Sequence, residues 1–138
     1  MVIFRHPSEI RNPLTNAVAT IGNFDGVHSG HREIFRRVRE VAAERGGVSV
    51  VITFVPHPLK VLAVGREVRL ITTYAEKEAL IASCGIDYLV AIPFTPEFAA
   101  VSADSFVRDL LVATIGVRHL IIGYDYRFGR NREGSTEL

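Results

Sequence analysis

Residues 22–31 read Gly-Asn-Phe-Asp-Gly-Val-His-Ser-Gly-His, which places two of the chain's five histidines three positions apart in a glycine-rich stretch. Histidines three apart share a face once a helix has begun. A helix starting near Ser29 would aim its unpaired N–H groups and the positive end of its dipole at the same place. Gly22, Gly26 and Gly30 lack a Cβ and leave room for a ligand's phosphates to approach the backbone. Two imidazoles there, His28 and His31, can donate hydrogen bonds to phosphoryl oxygens as charge builds on them. No Gly-Lys-Ser/Thr follows, so the stretch is not a Walker loop. On the residues alone two other readings stay open: the histidines simply decorate a helix start, or they bind a metal with His57 as third ligand. The metal reading lacks a recognised zinc spacing, and the positive end of a helix disfavours a cation.

Such a turn has to be held by regular elements, and the pattern supplies them. Ala17–Ile21 is a short apolar strand ending at a glycine. From about Ser29 to Glu44 the spacing turns helical, with Ile34, Phe35, Val38, Val41 and Ala42 on one stripe and Arg32, Arg36, Arg37 and Arg39 largely off it. Gly46-Gly47 stops that helix. Val48–Phe54 is β-branched and nearly all apolar, as strands covered on both faces are. A second helix is expected from Tyr74 to Cys84, with Thr73 and Glu76 at capping-box spacing and Gly85 past its end. Tyr88–Pro93 is the next strand. Ser102 or Asp104 caps a third helix, with Phe106, Val107, Leu110 and Leu111 inward and Gly116 at its stop. His119–Gly123 supplies a fourth strand, and the final stretch from Asp125 on reads as loop.

Strands separated by helices give βαβ units, hence an α/β fold: a Rossmann-like, mainly parallel sheet with helices on both faces. Ligands of such sheets bind beyond the carboxyl ends of the strands. The glycine-histidine stretch follows the first strand, Pro56-His57-Pro58 the second, and Tyr124-Asp125-Tyr126-Arg127-Phe128-Gly129 the fourth, so one crevice can collect all three. Taken singly, each has a plainer reading. The prolines can be a rigid strand exit, Asp125 a turn residue, Phe128 a loop aromatic folded on the core, and Arg127, Arg130 and Arg132 a solvated run.

Composition narrows the partners. The chain is 48% hydrophobic with a net charge of +1, a balance that suits a single packed domain and gives no global field to attract nucleic acid or an anionic membrane. Its one cysteine, Cys84, cannot form an internal disulfide, which suits a reducing compartment, and the expectation is a cytoplasmic protein. No apolar run reaches the roughly 20 residues of a membrane-spanning helix.

Together these stretches resemble a known family. Gly22 to His31 looks like the nucleotide-binding signature of the HIGH-type nucleotidyltransferases. With Phe54-Val55-Pro56-His57-Pro58, the Gly123–Gly129 loop with Arg132 and Gly134, and the lesser stretch Phe98–Leu111, the chain resembles the FMN adenylyltransferase module of prokaryotic bifunctional riboflavin kinase/FAD synthetases. The resemblance implies a nucleotidyltransferase fold that transfers AMP from ATP to FMN, giving FAD and pyrophosphate. It implies that Gly22, Asn23, Phe24, Asp25 and Gly30 hold ATP, with His28 and His31 catalytic. Pro56, His57, Pro58, Asp125 and Phe128 would lie along FMN. Mg2+ would come with ATP, and the sequence offers no carboxylate cluster to hold a metal independently.

The chain departs from the family pattern at Tyr126, where phenylalanine is common, and in lacking the helix, strand and ISSTxxR-like segment that follow the third loop. The expectation is therefore one incomplete transferase domain over residues 1–138, without a riboflavin kinase domain. An open sheet edge beside His119–Gly123 would then favour self-association. Two alternatives accompany this reading: a nucleotide- or flavin-binding fragment without turnover, and a sister HIGH-type nucleotidyltransferase. A metal hydrolase is a weaker third.

Overall fold

In the computed structural model, residues 1–24, 29–55 and 73–123 are described. The strands are β1 (Val2–Phe4), β2 (Ala17–Ile21), β3 (Ser49–Val55), β4 (Tyr88–Pro93) and β5 (Val117–Leu120). They form one sheet in the order β1-β4-β3-β2-β5, and every described pairing is parallel. Helix α1 (Ser29–Glu44) crosses from β2 to β3, and α2 (Tyr74–Ser83) precedes β4. After β4 come a short helix α3 (Pro96–Ala99), a single α-turn α4 (Ala103–Ser105) and a π-helix, Phe106–Ile115, that leads into β5.

Strict alternation along the strands divides the interior into two layers. Ala17, Ala19, Ile21, Val50, Ile52, Phe54, Val90 and Ile92 face the π-helix and pack on Phe106, Leu111 and Ile115. Val18, Val51 and Leu89 face the other way, onto Phe35, Val38 and Ala42 of α1 and Ile81 of α2. All five residues of β2 are buried, as the central position requires. The starts of β3 and β4 are tied by a reciprocal pair: Ser49 N–H and Oγ donate to Asp87 Oδ2 at 2.9 and 3.1 Å, and Asp87 N–H donates to Ser49 Oγ at 2.9 Å.

The expected helices on both faces and the parallel sheet are present, with local corrections. β1 was not legible, being a three-residue edge strand with Val2 exposed. β3 begins one residue later than expected. β5 begins at Val117 rather than His119, because pairing with Ala17 already starts there, and Ile121 N–H still reaches Ala19 O at 2.8 Å. Ser102, not Asp104, is the cap: its Oγ accepts from Ser105 N–H at 3.2 Å, while Asp104 pairs with Arg108 outside. The third helix is largely a π-helix. Its wider turn aligns Phe106, Leu111 and Ile115 as the fully buried residues and leaves Val107 and Leu110 half-buried at the core margin. It ends at Gly116, whose φ of 91° lies in the left-handed region and whose N–H bonds Leu111 O at 3.0 Å.

Candidate active site

Strand order reverses at β2: β3 and β4 follow on one side, and β5 returns to the other. Ligand crevices of open α/β sheets form at such a reversal, beyond the carboxyl ends of the strands. The turn Gly22-Asn23-Phe24 leaves β2 at this place, with Gly22 N–H still bonded to Ile52 O at 3.0 Å. Ile121–Gly123 leaves β5 beside it.

The turn is built tightly. Phe24 has φ 50°, a left-handed conformation that is uncommon for an aromatic residue and costs on the order of 1–3 kcal/mol. Its ring is buried, 4.9 Å from the Phe35 ring and 5.1 Å from the His31 imidazole, edge-on at 89° to the latter. A Cβ on Gly22 would stand 2.7 Å from Phe24 Cζ, so this glycine makes way for the protein's own ring. Phe24 therefore belongs to the core by its side chain. Asn23 is half-buried, and its Oδ1 is buried without a hydrogen-bond partner among the described residues. An amide oxygen left unpaired costs about 1–3 kcal/mol, which makes it a candidate ligand contact.

His31 is half-buried in the first turn of α1, and Gly30 beside it is exposed. Gly22, Asn23, Phe24, Gly30 and His31 are thus brought together at the carboxyl end of β2. Asp25 and His28, Pro56, His57 and Pro58, and Asp125 and Phe128 lie outside the described residues.

One residue at this place was not anticipated. Lys77, in the first turn of α2, is only 5% exposed. Its Nζ donates to Asn23 O at 2.9 Å and to Thr53 Oγ1 at 3.1 Å, and lies 5.2 Å from the centre of the Tyr74 ring. The available signal was its position four residues before Ile81, on the buried stripe of α2.

Surface electrostatics near the site are those of paired charges. Hydrogen bonding from Arg36 holds the exposed Glu33 carboxyl below its ordinary range, and Arg36 also bonds Glu40. Cys84 is half-buried, with Arg32 Nη1 at 3.7 Å from its Sγ. No group of three or more His, Cys, Asp or Glu side chains able to hold a metal occurs among the described residues. An open cleft of about 750 Å³ lies on the opposite face, between the end of β4 and the π-helix, and neither the turn nor α1 contributes to its lining.

A switch-point turn of this make-up can be compared with known proteins. The model of the FAD synthetase family matches residues 10–138. The chain belongs to the FAD synthetase family. Among its relatives is the bifunctional riboflavin kinase/FMN adenylyltransferase of Escherichia coli K12, 41% identical over 91% of this chain and 40% of that protein. Those of Pseudomonas fluorescens and Listeria monocytogenes are 37% and 36% identical, over 100% and 89% of this chain. The chain spans about two-fifths of the length of these curated relatives. A crystal structure described as a macrolide-efflux protein from Streptococcus pneumoniae superposes with a TM-score of 0.78 at 27% identity, over 93% of this chain and 43% of that one. No helix among the described residues is long and apolar enough to cross a membrane.

Proposed function

We propose that this chain carries the adenylyl-transfer step of FAD synthesis: ATP and FMN in, FAD and pyrophosphate out. The observation that carries the reading is the turn Gly22-Asn23-Phe24 at the strand-order reversal, with His31 of α1 packed against it, in a chain whose relatives are named FMN adenylyltransferases. An FMN phosphate oxygen attacks the α-phosphorus of ATP. The bond to the bridging oxygen breaks, and pyrophosphate leaves with the electron pair.

Gly22, Asn23, Phe24, Asp25 and Gly30 approach the nucleotide, with Asn23 Oδ1 as a ready polar contact. His28 and His31 donate hydrogen bonds to phosphoryl oxygens as negative charge grows there, in addition to the dipole of α1. Pro56, His57, Pro58, Asp125 and Phe128 lie along the flavin. Mg2+ enters with ATP as part of the substrate and neutralises phosphate charge. The rest of the catalysis is positioning, holding two phosphate-bearing molecules in line. The same reading takes residues 1–138 as one transferase domain working in the cytoplasm, without a nucleic-acid or membrane partner. β5, which pairs only with β2 among the described residues, is the edge where copies could associate.

The test is incubation of the native gene product with FMN and Mg-ATP, followed by chromatography of the flavins. FAD and pyrophosphate in equal amounts are expected. No FAD, with AMP transferred to another phosphate ester, would move the chain to a sister nucleotidyltransferase. Flavin binding without any transfer would make it a binding module.

A further inference from the structure

Lys77 is a buried cation, 5% exposed, that the adenylyl transfer outlined above leaves without a role. Burial disfavours an ammonium, and the first turn of a helix is the end where a positive charge is least welcome. A buried ammonium at this place points to a role in holding particular partners.

The contacts indicate which. Lys77 Nζ, Thr53 Oγ1 and Asn23 O form a closed triangle: the ammonium donates to both oxygens at 2.9 and 3.1 Å, and the Thr53 hydroxyl donates to the same carbonyl at 3.4 Å. Thr53 sits near the end of β3, and Lys77 sits on α2, capped by Thr73, whose Oγ1 accepts from Glu76 N–H at 3.1 Å. A carbonyl held from a strand and a helix at once has a fixed peptide plane, and Phe24, with its left-handed φ of 50°, is built out from that plane. The Phe24 ring in turn meets His31 edge-on at 5.1 Å. An ammonium makes charge-assisted bonds, roughly twice as strong as neutral ones, to the one carbonyl on which this chain of contacts depends.

We propose that Lys77 is a positioning residue, whose buried ammonium holds the Asn23 carbonyl and thereby fixes the Gly22-Asn23-Phe24 turn and the His31 imidazole against it. The role deepens the adenylyltransferase reading and rests on it for its effect on rate. Its effect on the geometry of His31 is independent of that reading.

The test uses the native gene product and the variant Lys77→Met, which keeps length and bulk but removes the charge and the donors. Two readouts are taken: kcat and KM for FAD formation, and the imidazole NMR signals of His31, which sense the Phe24 ring current. The expected result is a fall in kcat of at least tenfold with KM for FMN within twofold, together with displaced His31 signals. Thr53→Val, which removes one side of the triangle, should act in the same direction more weakly. Thr53→Ser, which keeps the hydroxyl, should restore both readouts. If Lys77→Met does not fold, the Thr53 pair decides on the same two measurements.

Unmoved His31 signals overturn the proposal, whatever happens to melting temperature. Wild-type kcat in a folded Lys77→Met protein also overturns it. If the unmodified protein makes no FAD, the adenylyltransferase reading fails by itself, and displaced His31 signals would still support the positioning role.

Discussion

Replacing Gly22 by alanine tests the packing of the turn with the smallest possible change. The new Cβ would lie 2.7 Å from Phe24 Cζ and 3.0 Å from both Cε atoms, where ordinary contact begins at 3.4 Å. The ring must therefore retreat by about 0.7 Å, a shift a packed interior resists. Its backbone is held at φ 50°, and behind it stand the rings of Phe35 at 4.9 Å and His31 at 5.1 Å. Overpacking of this size costs about 1–3 kcal/mol, offset by about 0.4–1 kcal/mol because alanine restricts the unfolded chain. For a domain of 138 residues the net loss lowers the melting temperature by about 3–8 °C. Turnover should fall further, on the order of a hundredfold, because His31 moves with the ring. Thermal melts and FAD chromatography on the same preparation separate the two effects. A lowered melting temperature with unchanged turnover would refute the link from Phe24 to His31, and no change in either would refute the close approach itself.

His28→Ala and His31→Ala should each lower turnover about a hundredfold, since one lost donor to a developing oxyanion is worth about 3 kcal/mol; steady-state rates within twofold of wild type for both would remove them from the reaction. Phe128→Ala should weaken FMN binding by about 0.5–1.5 kcal/mol and leave ATP binding unchanged, as separate titrations would show, if the ring stacks on the flavin. Gly116→Ala should cost about 2–4 kcal/mol in urea denaturation, because φ is 91° and a Cβ would meet Leu14 O at 2.6 Å and Leu14 N at 2.9 Å; a loss below about 0.5 kcal/mol would contradict that geometry.

How far the sequence carries the fold depends on how local the cause is. β2, α1 and β4 fall where composition and periodicity put them, because an apolar strand between turn signals, or an apolar stripe at helical spacing, is a local fact. β1 is three residues long and gains its identity only by pairing with β4, so nothing local marks it. The π-helix carries the composition of an α-helix; its wider turn shows in the placing of Phe106, Leu111 and Ile115 against the sheet, which is a tertiary matter. At the site, the glycine-histidine stretch announces itself by spacing. Lys77 does not, because a lysine in a helix is ordinarily solvated, and the partners it meets include Asn23 and Thr53, 54 and 24 residues away.

The position of β5 also bears on the order in which the molecule assembles. β2 takes β3 on one side across a short separation, Val18 opposite Ser49, but its other side waits for β5, with Ala17 opposite Val117. Closing that loop of about 100 residues costs about 4 kcal/mol of chain entropy, roughly 1 kcal/mol more than the first pairing. On a ribosome adding about 5–20 residues each second, the second edge of a strand that ends up wholly buried stays open for roughly 5–20 s after β2 emerges. Docking of β5 closes that edge and at the same moment brings the end of β5 beside the end of β2 at the strand-order reversal. Ligand that binds only once these strand ends are together therefore draws the docking of β5 forward by mass action, so ligand supplied during synthesis should raise the yield of folded chain.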